Sequence, residues 1–284
     1  MSGYLLALRG ELYLERRSRA VKAALLLPMA LAAGRVGLGK LHSLALQVGE
    51  AARGSGGAAA VDVNAYGPLV DGVGAGLMLG LLLLLVLAST SVSLDRDLGT
   101  IRLPLTRRVS RGALVLAKFT ALVLVGLALL AGVVFASWAA SAALYDFTPA
   151  MEDGYVIFPA SEIRREIALG LGMAALCLPA TAALGLLVSA SARSATASVA
   201  VALPLVLAFD VLKGLLGGVS SWVFLSFQPT LIDRSYLAEA GKIARGFSDA
   251  GFSDRLLRLN LAVPLPEALV LLGLTLLIVN RRKM

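Results

Sequence analysis

Six stretches of this chain are long and apolar enough to cross a bilayer as helices: residues 20–38, 68–93, 113–140, 167–190, 195–216 and 263–279. Nothing else in the sequence restricts the fold as much, because a backbone in lipid must satisfy its own hydrogen bonds, and a helix does so within one segment. Composition agrees: 58 % of the 284 residues are hydrophobic and 15 % charged, too few polar groups to coat a soluble globule of this size. The expected fold class is an all-α integral membrane protein forming a single domain over residues 1–284. The first stretch is the weakest, since its apolar core at 23–34 is short and holds Pro28. It imitates a signal peptide, but about 22 residues of charged leader are long for one, so a retained span is expected.

One cysteine and one histidine exclude a disulfide framework within the chain and leave too few soft ligands for a tetrahedral zinc site. Orientation follows from lysine and arginine. With both termini on one side, that side holds Arg9, Arg16, Arg17, Arg19, Lys22, Arg96, Arg102, Arg107, Arg108, Arg111, Lys118, Arg193, Arg281, Arg282 and Lys283, which is 15 of the 26 basic residues, all close to span ends. The positive-inside bias makes that side cytoplasmic and the protein a multi-pass resident of the inner (plasma) membrane. Topology and lipid headgroups account for the net charge of +8, so no nucleic-acid partner is needed.

Residues 4–19 read YLLALRGELYLERRSR, with Leu5, Leu8 and Leu12 at helical spacing and Arg9, Glu11, Arg16 and Arg19 elsewhere. This predicts an interfacial amphipathic helix over 1–19, ahead of the first span. In the second span Gly72, Gly76 and Gly80 repeat every four residues and share one face. In lipid, close approach through small residues is a main source of helix packing, so this face should meet another helix of this chain or of a second copy.

Residues 93–118, SLDRDLGTIRLPLTRRVSRGALVLAK, join the second and third spans with two acids, five arginines and a lysine around Gly99-Thr100. A simple turn needs only a handful of residues. Arg102, Arg107, Arg108 and Arg111 offer forked donors suited to carboxylates on a partner protein, beside the alternative that they only anchor topology.

This loop resembles the cytoplasmic loop of permeases of the ABC-2 superfamily of ABC transporters. The matching positions are Asp95 and Asp97, Gly99-Thr100, Leu103 and Leu105, Val109-Ser110-Arg111 and Lys118. Arg108 stands at the usual proline position and Pro104 interrupts the leucine run. The layout is similar too: an amphipathic elbow, six spans, cytoplasmic termini and a long outer segment at 217–262, whose SSWVFLSFQPTLIDRSYL suits re-entrant or interfacial helices. The resemblance implies a permease subunit, with export as the expected direction, that pairs with a second permease copy as homodimer or heterodimer. It also implies a separate cytosolic ABC ATPase docking on a coupling loop at 94–112 and on the elbow, with Asp95, Asp97, Gly99, Thr100, Arg102, Arg107, Arg108, Arg111 and Lys118 as docking residues. ATP and Mg would sit on that ATPase, and this chain would bind no cofactor and carry no catalytic residue.

Among ionisable residues near the spans, Asp71, Glu267, Asp210 and Lys213 all lie towards the outer side, and Asp210 can pair with Lys213 at i,i+3 spacing. A structural pair is the favoured reading. Met173 and Cys177 share a face of the fourth span, which helix packing explains, although two sulfur atoms could also hold Cu(I). One branch of the family, the permease of the nitrous-oxide reductase maturation transporter, has a motif after the fifth span similar to Gln228-Pro229-Thr230 here. Two other classes stay open, a membrane-embedded protease or transferase and an ion-coupled secondary transporter. His42 alone cannot build H-E-x-x-H, and neither inverted repeats nor midplane charges stand out.

Finally, GRVGLGKL at 34–41 fits the skeleton G-x-x-x-x-G-K of a phosphate-binding loop. A membrane span precedes it, Leu41 replaces the required Ser or Thr, and Lys40 falls outside the cytoplasm. The match is read as accidental.

Overall fold

The computed structural model describes residues 3–52, 64–99, 109–152, 155–247 and 254–281. Among these, six helices are long and apolar enough to cross a membrane. In chain order the helices are α1 (Gly3–Arg17), α2 (Arg19–Ala52), α3 (Tyr66–Asp97), α4 (Arg111–Leu144), α5 (Ala160–Ser191), α6 (Ala195–Leu212), α7 (Tyr236–Ala244), α8 (Asp254–Ala262) and α9 (Pro264–Arg281). Consecutive spanning helices alternate in direction. Residues 19, 97–99, 109–111, 191–195 and 281 therefore share one end of the bundle, here the proximal end, and the described residues that follow α4 and α6 (144–152, 155–160, 212–247 and 254–264) belong to the distal end.

Local chemistry sets the helix ends. Ser110, Ser194 and Ser235 cap α4, α6 and α7, each side chain accepting from the N–H three residues on. α3 ends where Gly99 turns left-handed at φ 68° and its N–H bonds the Arg96 carbonyl at 3.0 Å.

α3 is the hub. α2 and α4 pack along one side of it, α5 and α6 along the other, while α9 closes against α5 and α1 lies on α4. The glycine repeat of α3 makes the first contact possible. A Cβ at Gly72 would run into the Ser137 hydroxyl and come within 2.8 Å of the Ala32 carbonyl. At Gly76 it would meet Val133 at 2.6 Å and the Pro28 carbonyl at 3.0 Å, and at Gly80 it would meet Leu129 at 2.5 Å. The glycine face thus meets α2 and α4 of the same chain. Valine and leucine from α3 and α4, Val73, Leu77, Leu129 and Val133 among them, fill the layer between.

Several boundaries differ from expectation. The first span does not stop near residue 38, because Leu38, Leu41, Leu44 and Leu46 carry the apolar surface onward and no proline intervenes, so α2 runs to Ala52. Gly34, Gly39 and Lys40 consequently sit inside continuous helix, with the Lys40 ammonium 4.8 Å from the ring of Tyr145. The fifth span is shorter, ending at Leu212 before Gly214, Gly217 and Gly218. The sixth begins at Pro264, whose missing N–H suits a first helical position, and α8 leads into it. At the distal end, Ala150–Glu152 and Tyr155–Phe158 form an antiparallel hairpin, Met151 opposite Val156. The segment after α6 forms two 3-10 turns, Gly217–Trp222 and Phe224–Ser226, before α7.

Candidate coupling site at the proximal end

The predicted loop emerges from the last turn of α3 and re-enters at α4, and polar contacts converge on these two roots. Lys118, two turns into α4, is 5 % exposed. Its ammonium lies 2.7 Å from Asp95 of α3 and 3.0 Å from Glu11 of α1. A lysine buried this deeply is stable only when paired, so three helices are tied at one point. Tyr4 adds a hydroxyl contact to Thr120 at 3.0 Å. Glu15, one turn beyond Glu11, lacks such a bond; burial first, then repulsion from Glu11, pushes its carboxyl up to about 7 despite the pull of Lys118.

The next two residues of α3 bind the other side of the bundle. Arg96 donates to the carbonyls of Ala192 and Ser189 at 2.9 and 3.1 Å, closing the end of α5. Asp97 accepts from the N–H of Ala195 at 2.8 Å, at the positive N-terminus of α6. One turn deeper, serines link α3, α5 and α6. The Ser189 hydroxyl accepts from the N–H groups of Val92 and Ser93 at 3.0 and 2.9 Å, and Ser198 donates to the Ser89 carbonyl at 2.5 Å. Gly185 permits this approach, since a Cβ there would collide with Ala88. The final two turns of α3 are therefore bonded to α4, α5 and α6 together, and through Lys118 to α1.

The distal end has its own ties. Asp210 and Lys213, at the end of α6, pair at 2.6 Å with side chains 4 % and 1 % exposed. Lys213 also donates to Thr230 at 2.7 Å, and Asp210 accepts from the Ile232 N–H at 3.2 Å, which fastens the returning segment to α6. Glu267 accepts from the Phe224 N–H at 2.8 Å. α7 is held by Tyr236 to Glu166 of α5 and by Arg245 to Asp71 of α3. Burial and that carboxylate neighbour raise the Tyr236 phenol above its ordinary range.

Residues 8–236 match the family described as ABC-2 family transporter protein. The chain belongs to the ABC-2 transporter family. No curated protein matches the sequence at a significant level. As an ABC-2 family member with six apolar helices it is the multi-pass membrane subunit of an ABC transporter, and the match is to the family as a whole rather than to any branch of it.

The predicted site residues of this ABC-2 protein are distributed unevenly. Asp95 and Asp97 lie at the α3 root and face its neighbours, Gly99 ends that helix, and Arg111 opens α4. Lys118 departs from the expectation of a docking surface residue, because its burial commits it to Glu11 and Asp95 inside the chain. Thr100, Arg102, Arg107 and Arg108 lie outside the described residues. Met173 and Cys177 are buried in α5, the thiol directed at the carbonyls of Met173 and Phe224 at 3.6 and 3.9 Å. Sequence reasoning does not single out Glu11, Arg96, Ser189 or Ser198 as site residues. Glu11 carries a usable signal, as an acid on the same helical side as Tyr4 and Ala7, whereas serines in apolar helices announce nothing of their partners.

Proposed function

We propose that this ABC-2 protein is the membrane half of an ATP-driven exporter, worked by a separate cytosolic ABC ATPase that docks on residues 94–112 with α1 alongside. The observation that carries this reading is the convergence of Lys118, Asp95, Glu11, Arg96 and Asp97 on the loop roots. A push delivered to the loop moves α3 against lipid only by taking α1, α4, α5 and α6 with it, which suits a bundle switched between two arrangements by nucleotide state. The basic residues of the proximal end favour a cytoplasmic position for it, with both termini inside the inner (plasma) membrane. ATP and Mg belong to the ATPase. In this chain the G-x-x-x-x-G-K stretch is mid-helix, its N–H groups engaged by its own backbone rather than offered to phosphate. A second permease copy, identical or related, completes the transporter in this reading.

The test is co-purification. Gently solubilised tagged chain is expected to bring down a soluble ATPase carrying a Walker motif, and Arg111→Glu is expected to cut that yield at least fivefold while the chain itself is recovered as before. Recovery of no ATPase, or equal recovery with the variant, sinks the proposal.

A further inference from the structure

α1 segregates its charges. Between residues 3 and 22 the acids are Glu11 and Glu15, and both are half-buried, Glu11 bonded to Lys118 of α4 at 3.0 Å. The basic residues of the same stretch, Arg9, Arg16, Arg17, Arg19 and Lys22, are all exposed. Arg9, Arg16 and Arg17 share the outer side of α1 with Leu5, Leu6, Leu12 and Tyr13, which are 37 to 55 % exposed, while Arg19 and Lys22 lie in the first turns of α2. Arg17 stacks on Tyr13 at 4.6 Å, keeping its guanidinium on that side. A single residue, Ser18, separates α1 from the membrane-spanning α2 and caps it through the Val21 N–H. The outer side of α1 is thereby held at the depth of the bilayer surface. Leucines there reach the acyl boundary while arginine stems extend back to the headgroups.

From this we infer that the outer face of α1 is a binding surface for anionic phospholipid headgroups. The recognition chemistry is a forked guanidinium set on phosphodiester oxygens, with apolar side chains below it and no exposed carboxylate to repel the lipid. The raised carboxyl of Glu15 adds to this by reducing negative charge beneath the face. The surface is independent of ATPase docking and stands whether or not that docking occurs.

Full-length protein is placed in nanodiscs of equal phosphatidylcholine and phosphatidylglycerol, released, and its retained lipids counted by native mass spectrometry. Wild type is expected to retain phosphatidylglycerol at least tenfold over phosphatidylcholine. Each basic residue near an anionic surface contributes about fivefold, so Arg9→Gln/Arg16→Gln/Arg17→Gln is expected to remove most of that preference. Arg164→Gln/Arg165→Gln, at the start of α5, should leave it intact. The wild-type preference should also fall as salt rises from about 0.1 to about 1 M, a measurement that requires no variant to fold. Equal retention by the triple variant, an equal loss in the α5 control, or indifference to salt overturns the inference. So does a triple variant that keeps its lipid but releases a co-purifying ATPase, which would assign the face to a protein.

Discussion

α3 and α6 both cross the membrane, yet they are held in different ways. α3 is buried along its length, through Gly72, Gly76, Gly80, Leu84 and Ala88 to Val92. α6 buries only Ser198, Ala202, Val206 and Asp210. Against lipid, apolar surface gains nothing by turning inward, so the hub is made by fit: small residues bring backbones together and dispersion contacts accumulate. α6 makes few such contacts and is pinned by polar groups instead, Asp97 and Ser89 at one end and the Lys213 cluster at the other. α1 resembles α6 in this respect. The bundle thus has a packed centre and polar-pinned margins, and each kind of attachment fails differently.

The largest effect is expected from the distal pin of α6. Lys213→Met leaves Asp210 buried without its cation, a change that costs about 3 to 5 kcal/mol for pairs of this kind. Asp210→Leu/Lys213→Met removes both charges and should recover most of the loss. Urea or thermal unfolding in detergent distinguishes the cases. A single variant as stable as wild type, or a double variant worse than the single, would show that this pair does not pin α6.

The centre should fail by crowding. Gly72→Ala and Gly76→Ala press a methyl against the backbone carbonyls of Ala32 and Pro28, and overpacking of this sort costs about 1 to 3 kcal/mol. Gly74, on the same helix, faces open space, and a methyl added there would have nothing within 4 Å. Gly74→Ala should be neutral or stabilising by up to about 1 kcal/mol, since it restricts the unfolded chain. Equal effects at all three positions would show that glycine matters in α3 for some reason other than helix approach.

This contrast explains what can be read from sequence. The six spans are legible because hydropathy is a local property, and the glycine face because its spacing of four is local too. The Asp210–Lys213 pair is legible at i,i+3. The pins are not: Lys118 meets Glu11 from 107 residues away, and Ser189 meets Val92 from 97. No periodicity in either segment encodes its partner. The hairpin at 150–158 is a different kind of miss. Asp153-Gly154, which lie outside the described residues, stand before the β-forming run Tyr155-Val156-Ile157-Phe158, a local signal outweighed by the helical character of everything around it. Arg102, Arg107 and Arg108, singled out by their forked donors, lie outside the described residues.

A smaller effect tests the proximal pin of α6. Ser198→Ala removes a hydroxyl that donates to the Ser89 carbonyl, and one such bond contributes about 1 kcal/mol. Its stability cost should be modest, but hydrogen exchange at the start of α6 should rise, because few packed contacts back up the bond. Unchanged exchange there would mean that packing, not the hydroxyl, holds this end.

The smallest effect concerns α1, where Glu15 is the one acid of the cluster without a bonded cation. Its carboxyl is raised from 4.5 to about 7, so the folded chain keeps a proton that the unfolded chain releases. The stability this confers is fully present below pH 4.5 and is lost as pH rises through about 7. Asp233, also raised by burial, works in the same direction at the distal end, so wild type alone cannot isolate Glu15. Glu15→Gln can. Its melting temperature should fall less than that of wild type between about pH 5 and 8, and the two should differ most at the alkaline end, where the glutamine replaces a buried anion. Lines that run parallel across this range would show that Glu15 is well enough solvated to titrate as it does in the unfolded chain. The margin at α1 would then rest on Glu11, Lys118 and Tyr4 alone.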